Sequence, residues 1–242
     1  MDILFQGTVA KFVDHSEDNE DALLVDRERG RIVVCDGASE SFDAKNWAHL
    51  LVDSFSKCDL IQSVVQVCQA EFKAIHNPAE MSWSKAAAYE RGSFSTLLIA
   101  QENPEAQCVH ITCLGDSFAV LTDGERLLGS LPYQSADGFN TRPFLLSTVE
   151  QHNTQLWVDN NPLVSAAQWS YEGKKLYLLC MTDALGAWLL SCIEKGNHEA
   201  LKYLVGIRSI TELIDLVEDE RGQRTMRRDD STLVIALLQG DS

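Results

Sequence analysis

The stretch RIVVCDGASES, Arg31 to Ser41, decides how the chain reads. It carries Val33, Val34 and Cys35 in an apolar run and then stops on Asp36-Gly37. Taken alone, an acid and a glycine after a strand are a turn. The sharper reading is an aspartate held at a strand end so that its carboxylate faces a metal ion. The same pattern recurs along the chain. The run after TVAKFV leads through DHSEDNEDA to Glu20 and Asp21, ITCLG ends at Asp116, LYLLCMT ends at Asp183, and TMRRDDSTLVIALL enters its strand through Asp229 and Asp230. Each acid by itself is a turn or a helix N-cap, and Thr182-Asp183 reads naturally as the cap of ALGAWLL. Gathered at one place they would form the hard oxygen ligand set that Mg²⁺ or Mn²⁺ takes. Their mutual repulsion would then be offset by the cations, and strand ends of a stiff scaffold can hold such a set.

Composition narrows the classes. The chain has 242 residues, 45% hydrophobic and 23% charged, which suits one large globular domain. No apolar run approaches the ~20 residues needed to span a bilayer, and the N-terminus lacks the basic flank and apolar segment of a secretory signal. Within MDILFQGT, LFQG resembles a protease-site remnant or the start of a first strand. The 36 acidic residues outnumber 20 basic ones, for a net charge of −16, which argues against nucleic acid and anionic membrane as partners. Seven cysteines without a C-x-x-C pair mostly sit in apolar runs, as in a reducing cytoplasm with neither a zinc site nor a disulfide framework.

Strand patterns at TVAKFV, DALLV and RIVVC precede helical periodicity in FDAKNWAHLLVDSFSKC and SVVQVCQAEFKAI, with a third helix near Ser82 to Glu90. FSTLLIAQ, CVHITCLG and FAVLTDG read as an antiparallel meander, and SAAQWSY with KKLYLLCMT as a strand pair. Between them, residues 129–162 read as an irregular segment, functional or mobile. Three helices, ALGAWLLSCI, HEALKYLV and SITELIDLVEDE, precede a last strand, STLVIALLQ, apolar enough to be central in a sheet. The grouping predicts an α+β fold, a central antiparallel β-sandwich flanked by helices on both faces, in a single domain over 1–242.

The ordered segments NEDALLV, VVCDG, GSFSTLLIA, CLGDS, MTDAL and RDDSTLVIAL, from Asn19 to Leu238, resemble the motif set of the metal-dependent protein phosphatases of type 2C. DGASES, with PFLLST and TDALGAWLL, is similar to a bacterial branch often encoded beside protein kinases. The resemblance implies a cytoplasmic enzyme that hydrolyses phosphoserine or phosphothreonine in proteins through a metal-activated water. It implies two Mg²⁺ or Mn²⁺ ions, with a third possible, a phosphoprotein substrate and a cognate kinase. Asp36, Asp183 and Asp229 would be catalytic. Asp36 would bridge the ions, Gly37 would offer its carbonyl to one of them, and Asp183 and Asp229 would complete the first ion's shell. Glu20 and Asp21 would serve the second ion and Asp116 a third, while 129–162 would be a flap.

The match departs at three places. Ser16 stands where many members carry a phosphate-gripping arginine, leaving Arg91, Arg142, Arg227 or Arg228 as substitutes. Ala38 cannot donate a proton, and Phe118 replaces a common arginine after GDS. These departures keep a rival in view, a phosphoprotein-binding module without turnover. A second rival is an interaction protein whose acids are only turns and caps. His15 and His49 read as surface or boundary residues without metal-ligand spacing nearby. Trp47, Trp83, Trp157, Trp169 and Trp188 read as core and flap packing.

Overall fold

The computed structural model describes residues 1–55, 60–158 and 161–240. In chain order the strands and helices are β1 (Asp2–Val9), β2 (Asp21–Asp26), β3 (Arg31–Asp36), α1 (Ala44–Phe55), α2 (Ile61–Ile75), α3 (Trp83–Arg91), β4 (Phe94–Ser95), β5 (Leu97–Asn103), β6 (Cys108–Leu114) and β7 (Phe118–Thr122). There follow β8 (Leu127–Leu131), β9 (Leu146–Ser147), α4 (Glu150–Asn153), β10 (Val164–Ser170), β11 (Lys175–Met181), α5 (Asp183–Glu194), α6 (Glu199–Gly206), α7 (Ile210–Gly222) and β12 (Ser231–Gln239).

Two five-stranded antiparallel sheets carry the architecture, ordered β1-β12-β11-β7-β8 and β10-β6-β5-β3-β2. The predicted sandwich flanked by helices is therefore what forms. Strand alternation explains why so many strands are apolar on both faces. In β12, Val234, Ala236 and Leu238 pack between the sheets, while Leu233 and Ile235 face the layer of Leu185, Leu189, Leu204 and Val217 from α5, α6 and α7. In β3, Ile32 and Val34 point between the sheets, and Val33 and Cys35 meet Trp47, Leu51, Val65 and Phe72 of α1 and α2. LFQG lies within β1, with Phe5 in the core.

Two strand assignments are corrected. β5, β6 and β7 do not form one meander, because β7 pairs with β11 and β8 in the opposite sheet. β10 and β11 are not partners either, since β10 pairs with β6 and β11 lies between β12 and β7. In both cases the chain crosses from one sheet to the other through a short turn that local pattern cannot distinguish from a hairpin. Segment 129–162 is also less irregular than expected. It includes the end of β8, a 3₁₀ turn at Ala136–Asn140, β9, α4 and a 3₁₀ turn at Thr154–Trp157, and its residues 159 and 160 lie outside the described part.

Phe118 is fully buried and meets Phe139 edge-on at 5.4 Å, which in turn packs on Tyr133 at 4.8 Å. A phenylalanine after GDS thus ties the 3₁₀ turn at Ala136–Asn140 to the core. Cys35, Cys68, Cys108, Cys113 and Cys180 are buried free thiols and Cys192 is partly buried, while Cys58 falls outside the described residues. Trp47 and Trp188 are core residues as expected, but Trp83, at the start of α3, is 87% exposed and lies outside the core.

Candidate metal centre

Strand phase brings the acids to one end of the sandwich. Asp36 has the parity of Ile32 and Val34, so it continues the between-sheet face of β3 just where the strand ends. Asp21 is its direct partner across β2 and β3. From the other sheet, Thr182 follows in phase with Leu178 and Cys180, and Thr232 with Val234 and Ala236. These meet Asp21. Thr232 Oγ1 donates to Asp21 Oδ2 at 2.7 Å, and Thr182 Oγ1 donates to the same oxygen at 3.0 Å. Thr182 Oγ1 also accepts from the Thr232 amide at 2.9 Å. The expected Thr182 cap on α5 is therefore not made; its hydroxyl clamps Asp21 instead.

The other acids arrive by turns. Gly115, at φ +93°, lets the chain leave β6 and place the buried Asp116 before it enters β7. Thr96 couples this turn to Asp36. Its Oγ1 accepts from the Asp36 amide at 2.8 Å and shares a 2.6 Å hydrogen bond with Ser117 Oγ, while its amide donates to the Asp36 carbonyl at 2.9 Å. Asp183 opens α5, where a carboxylate is favoured by the helix dipole. Asp229 and Asp230 precede β12 and do different work. Asp230 accepts backbone N–H bonds from Lys11 at 2.6 Å and Glu20 at 2.7 Å, using both oxygens. An asparagine has only one acceptor oxygen, so an aspartate suits this staple between the β1 and β2 ends. Arg221, buried in α7, holds the same region by donating to the carbonyls of Ala10 and Asp229, to Ser231 Oγ and to Glu218.

Asp36, Gly37, Asp116, Asp183 and Asp229 line one cleft of about 680 Å³. Asp21 is buried and outside that lining, and half-buried Glu20 lies close enough to Asp229 and Asp230 to feel their charge. Sequence reasoning missed Thr96, Thr182, Thr232 and Arg221. The threonines beside the acids in MTD and DDST were the available signal.

Burial is the leading cause of raised carboxyl pKa values here, and neighbouring charge adds to it. The Asp36 carboxyl is pushed well above the usual range by burial and then by Asp21, Asp183, Asp116 and Asp229. Asp21 is likewise pushed well up by burial, against the hydroxyl of Thr232. Burial and Asp183 raise Asp116 to about 6. Asp183 is raised by burial, with Arg227 opposing.

These residues fit a hard divalent cation. The donors are all oxygen, and Oδ1 of Asp21 and Oδ1 of Asp183 are buried with no hydrogen-bond partner among the described residues. The acids share one cleft without three of their ligand atoms lying within 4.8 Å of one another. Among the described residues, the one group of three with ligand atoms within 4.8 Å of one another is His15, Glu17 and Asp18, exposed on the 3₁₀ turn at Val13–Asp18. That corrects the expectation that nothing near His15 has ligand spacing; His49 is exposed as expected.

Two cations already touch the acids. Arg227 Nη2 reaches Asp183 Oδ2 at 2.7 Å, and Lys11 Nζ lies 3.6 Å from Asp229 Oδ1. Arg227 is half-exposed, and a metal ion bound at Asp183 would have to compete with it for that oxygen. Arg227→Ala should tighten Mn²⁺ binding about fivefold, ~1 kcal/mol for a partly exposed pair. Calorimetric titration reads this directly, and unchanged or weaker affinity would remove the competition argument. Arg228 instead lies over the Phe12 ring at 5.8 Å and donates to the Lys11 carbonyl.

The raised pKa values set a pH dependence for metal-free protein. A carboxyl whose folded pKa exceeds its unfolded value favours folding below the unfolded value, and that advantage is lost as pH rises through the folded one. For Asp116 the window is from about 4 to about 6, amounting to at most about 3 kcal/mol, and Asp21 and Asp36 extend it upward. In EDTA the Tm should therefore fall between pH 5 and 7.5. Saturating Mg²⁺ should reverse the slope, because ionised ligands bind metal better. A Tm in EDTA that climbs over this range would contradict it.

No protein-family model and no curated protein matches the sequence. Solved structures do match over nearly the whole chain. The serine/threonine phosphatase Stp1 from Staphylococcus aureus superposes with a TM-score of 0.61 at 17% identity, covering 99% of this chain and 98% of that one. The Mycobacterium tuberculosis serine/threonine phosphatase PstP/Ppp gives 0.60 at 15% identity, covering 99% and 100%. RsbX, solved in complex with magnesium, gives 0.53 at 15% identity, covering 97% and 93%. The fold is that of the type 2C phosphatases, as the resemblance implied. At these identities the likeness speaks for the architecture, and the chemistry rests on the residues.

Proposed function

We propose that this protein is a Mg²⁺- or Mn²⁺-dependent phosphatase acting on phosphoserine or phosphothreonine in proteins. The observation that carries the reading is the convergence of Asp36, Gly37, Asp116, Asp183 and Asp229, from separate segments, on one cleft at the end of a phosphatase-like sandwich. Asp36, Asp183 and Asp229 would hold the first ion, Asp36 would also serve the second, and the Gly37 carbonyl would be offered to one of the two. Glu20 and Asp21 would serve the second, and Asp116 a third. When bound, the ions would lower the pKa of a water and offset charge on the phosphoryl oxygens.

The chain's own residues do the positioning. Thr182 and Thr232 hold one oxygen of Asp21 and leave the other available. Thr96 locks the strand end that presents Asp36. Water oxygen would attack phosphorus as the bond to the serine or threonine oxygen breaks, giving inorganic phosphate and the free hydroxyl. No side chain is phosphorylated in this scheme, which leaves the buried cysteines structural. A cognate kinase and a cytoplasmic setting accompany the reading; no described helix is long and apolar enough to cross a membrane.

The test is phosphate release from a phosphothreonine peptide with Mn²⁺, compared with Asp36→Asn. No release above that control ends the proposal. The rival binding module draws support from the Arg227–Asp183 contact, which occupies a proposed metal ligand. It predicts peptide binding by calorimetry without turnover.

A further inference from the structure

We propose that Arg91 and Arg142 form the clamp that grips the phosphoryl group of the substrate. The inference rests on the phosphatase reading and adds to it the residues that recognise the anion. Three cationic side chains, Lys11, Arg91 and Arg142, line the acid cleft. Lys11 is drawn to Asp229. Arg91 and Arg142 are exposed to solvent, and neither has an ion pair or a side-chain hydrogen bond to any described residue. This is a chain with 36 acids for 20 bases, so two unengaged guanidiniums beside a cluster of carboxylates are conspicuous. They lack an anion that the protein itself does not supply.

Their placement is structural. Arg91 closes the last turn of α3, and Gly92, at φ +89°, turns the chain directly into β4, whose Phe94 also lines the cleft. Arg142 follows the 3₁₀ turn at Ala136–Asn140, which the Phe118–Phe139 contact fixes to the core. Both backbones are therefore anchored while the side chains stay available. Ser16, on the exposed 3₁₀ turn at Val13–Asp18, does not line the cleft and cannot take this role. A planar guanidinium matches the oxygens of a phosphate monoester through two parallel hydrogen bonds. A pair of them from separate elements would hold the group against the acids and their cations.

The experiment compares wild type, Arg91→Ala, Arg142→Ala and the double variant on p-nitrophenyl phosphate and on a phosphothreonine peptide, with Mn²⁺. For a clamp on the phosphoryl group, the double variant should raise KM for both substrates about tenfold or more with kcat changed less than about threefold. Inhibition by inorganic phosphate should weaken in parallel. Arg91→Lys with Arg142→Lys should recover part of the loss, because charge remains and the forked geometry does not. Unchanged KM for p-nitrophenyl phosphate overturns the proposal, including the case where only the peptide is affected, which would mean that the arginines touch a flanking acid. If wild type releases no phosphate, the phosphatase reading fails, and calorimetry with inorganic phosphate still decides the clamp. Equal phosphate binding by wild type and the double variant rejects it.

Discussion

Asp36→Asn should cost at least about a thousandfold in Mn²⁺-dependent phosphate release, ~4 kcal/mol of transition-state stabilisation. The substitution keeps the shape of the side chain but removes its charge and turns one acceptor into a donor. It acts at a carboxyl whose pKa is raised by burial and then by the charges of Asp21, Asp183, Asp116 and Asp229. The same change should raise the Tm of the metal-free protein, because it removes one of several like charges confined at the end of the sandwich. Loss of activity with gain of stability is the signature of a site held under electrostatic strain for function. Phosphate release and thermal melts in EDTA check both halves. A variant that retains more than a tenth of wild-type activity, or one that melts lower in EDTA, would show that Asp36 is not the hub.

Gly37→Ala should destabilise the fold by about 2–3 kcal/mol, lowering Tm by about 5–10 °C, and weaken Mn²⁺ binding. The reason is space. A Cβ at Gly37 would lie 2.9 Å from the carbonyl oxygens of Ala44 and Glu20, both main-chain atoms that cannot rotate aside. The Gly37 amide donates to that same Glu20 carbonyl at 3.2 Å, so relief must pry the start of β2 and the start of α1 away from β3. Glu20, Asp21 and Asp36 ride on those segments. Melting curves and Mn²⁺ titration measure the two effects, and a wild-type Tm would show that the contact relaxes freely. The glycine of the DG pair is thus required for close approach, a reason that a turn propensity does not contain.

The acids were legible because each closes or opens an apolar run, and the runs reveal themselves by period. β3 ends on Asp36, and β12 starts after Asp229-Asp230. The supporting partners were not legible. Thr182 looked like a helix cap, since a threonine before ALGAWLL has the same local sequence whether it caps α5 or donates to Asp21 from 161 residues away. The misplaced pairings of β7 and β10 have a related origin. A turn such as GDS serves a hairpin and a sheet crossing equally, and which one forms depends on where the outward faces of both strands are buried.

The amino-acid order by itself determined the segments, their apolar faces and the strand-end positions of the acids, because periodicity and turn chemistry act over a few residues. Only the tertiary structure decided that Asp36, Asp116, Asp183 and Asp229 share one cleft, that Arg227 engages Asp183, and that Arg91 and Arg142 stand beside them unengaged. Those relations depend on which sheet each strand joins and on strand phase carried through two packed layers. They are energies between residues far apart in the chain, and no local pattern records them.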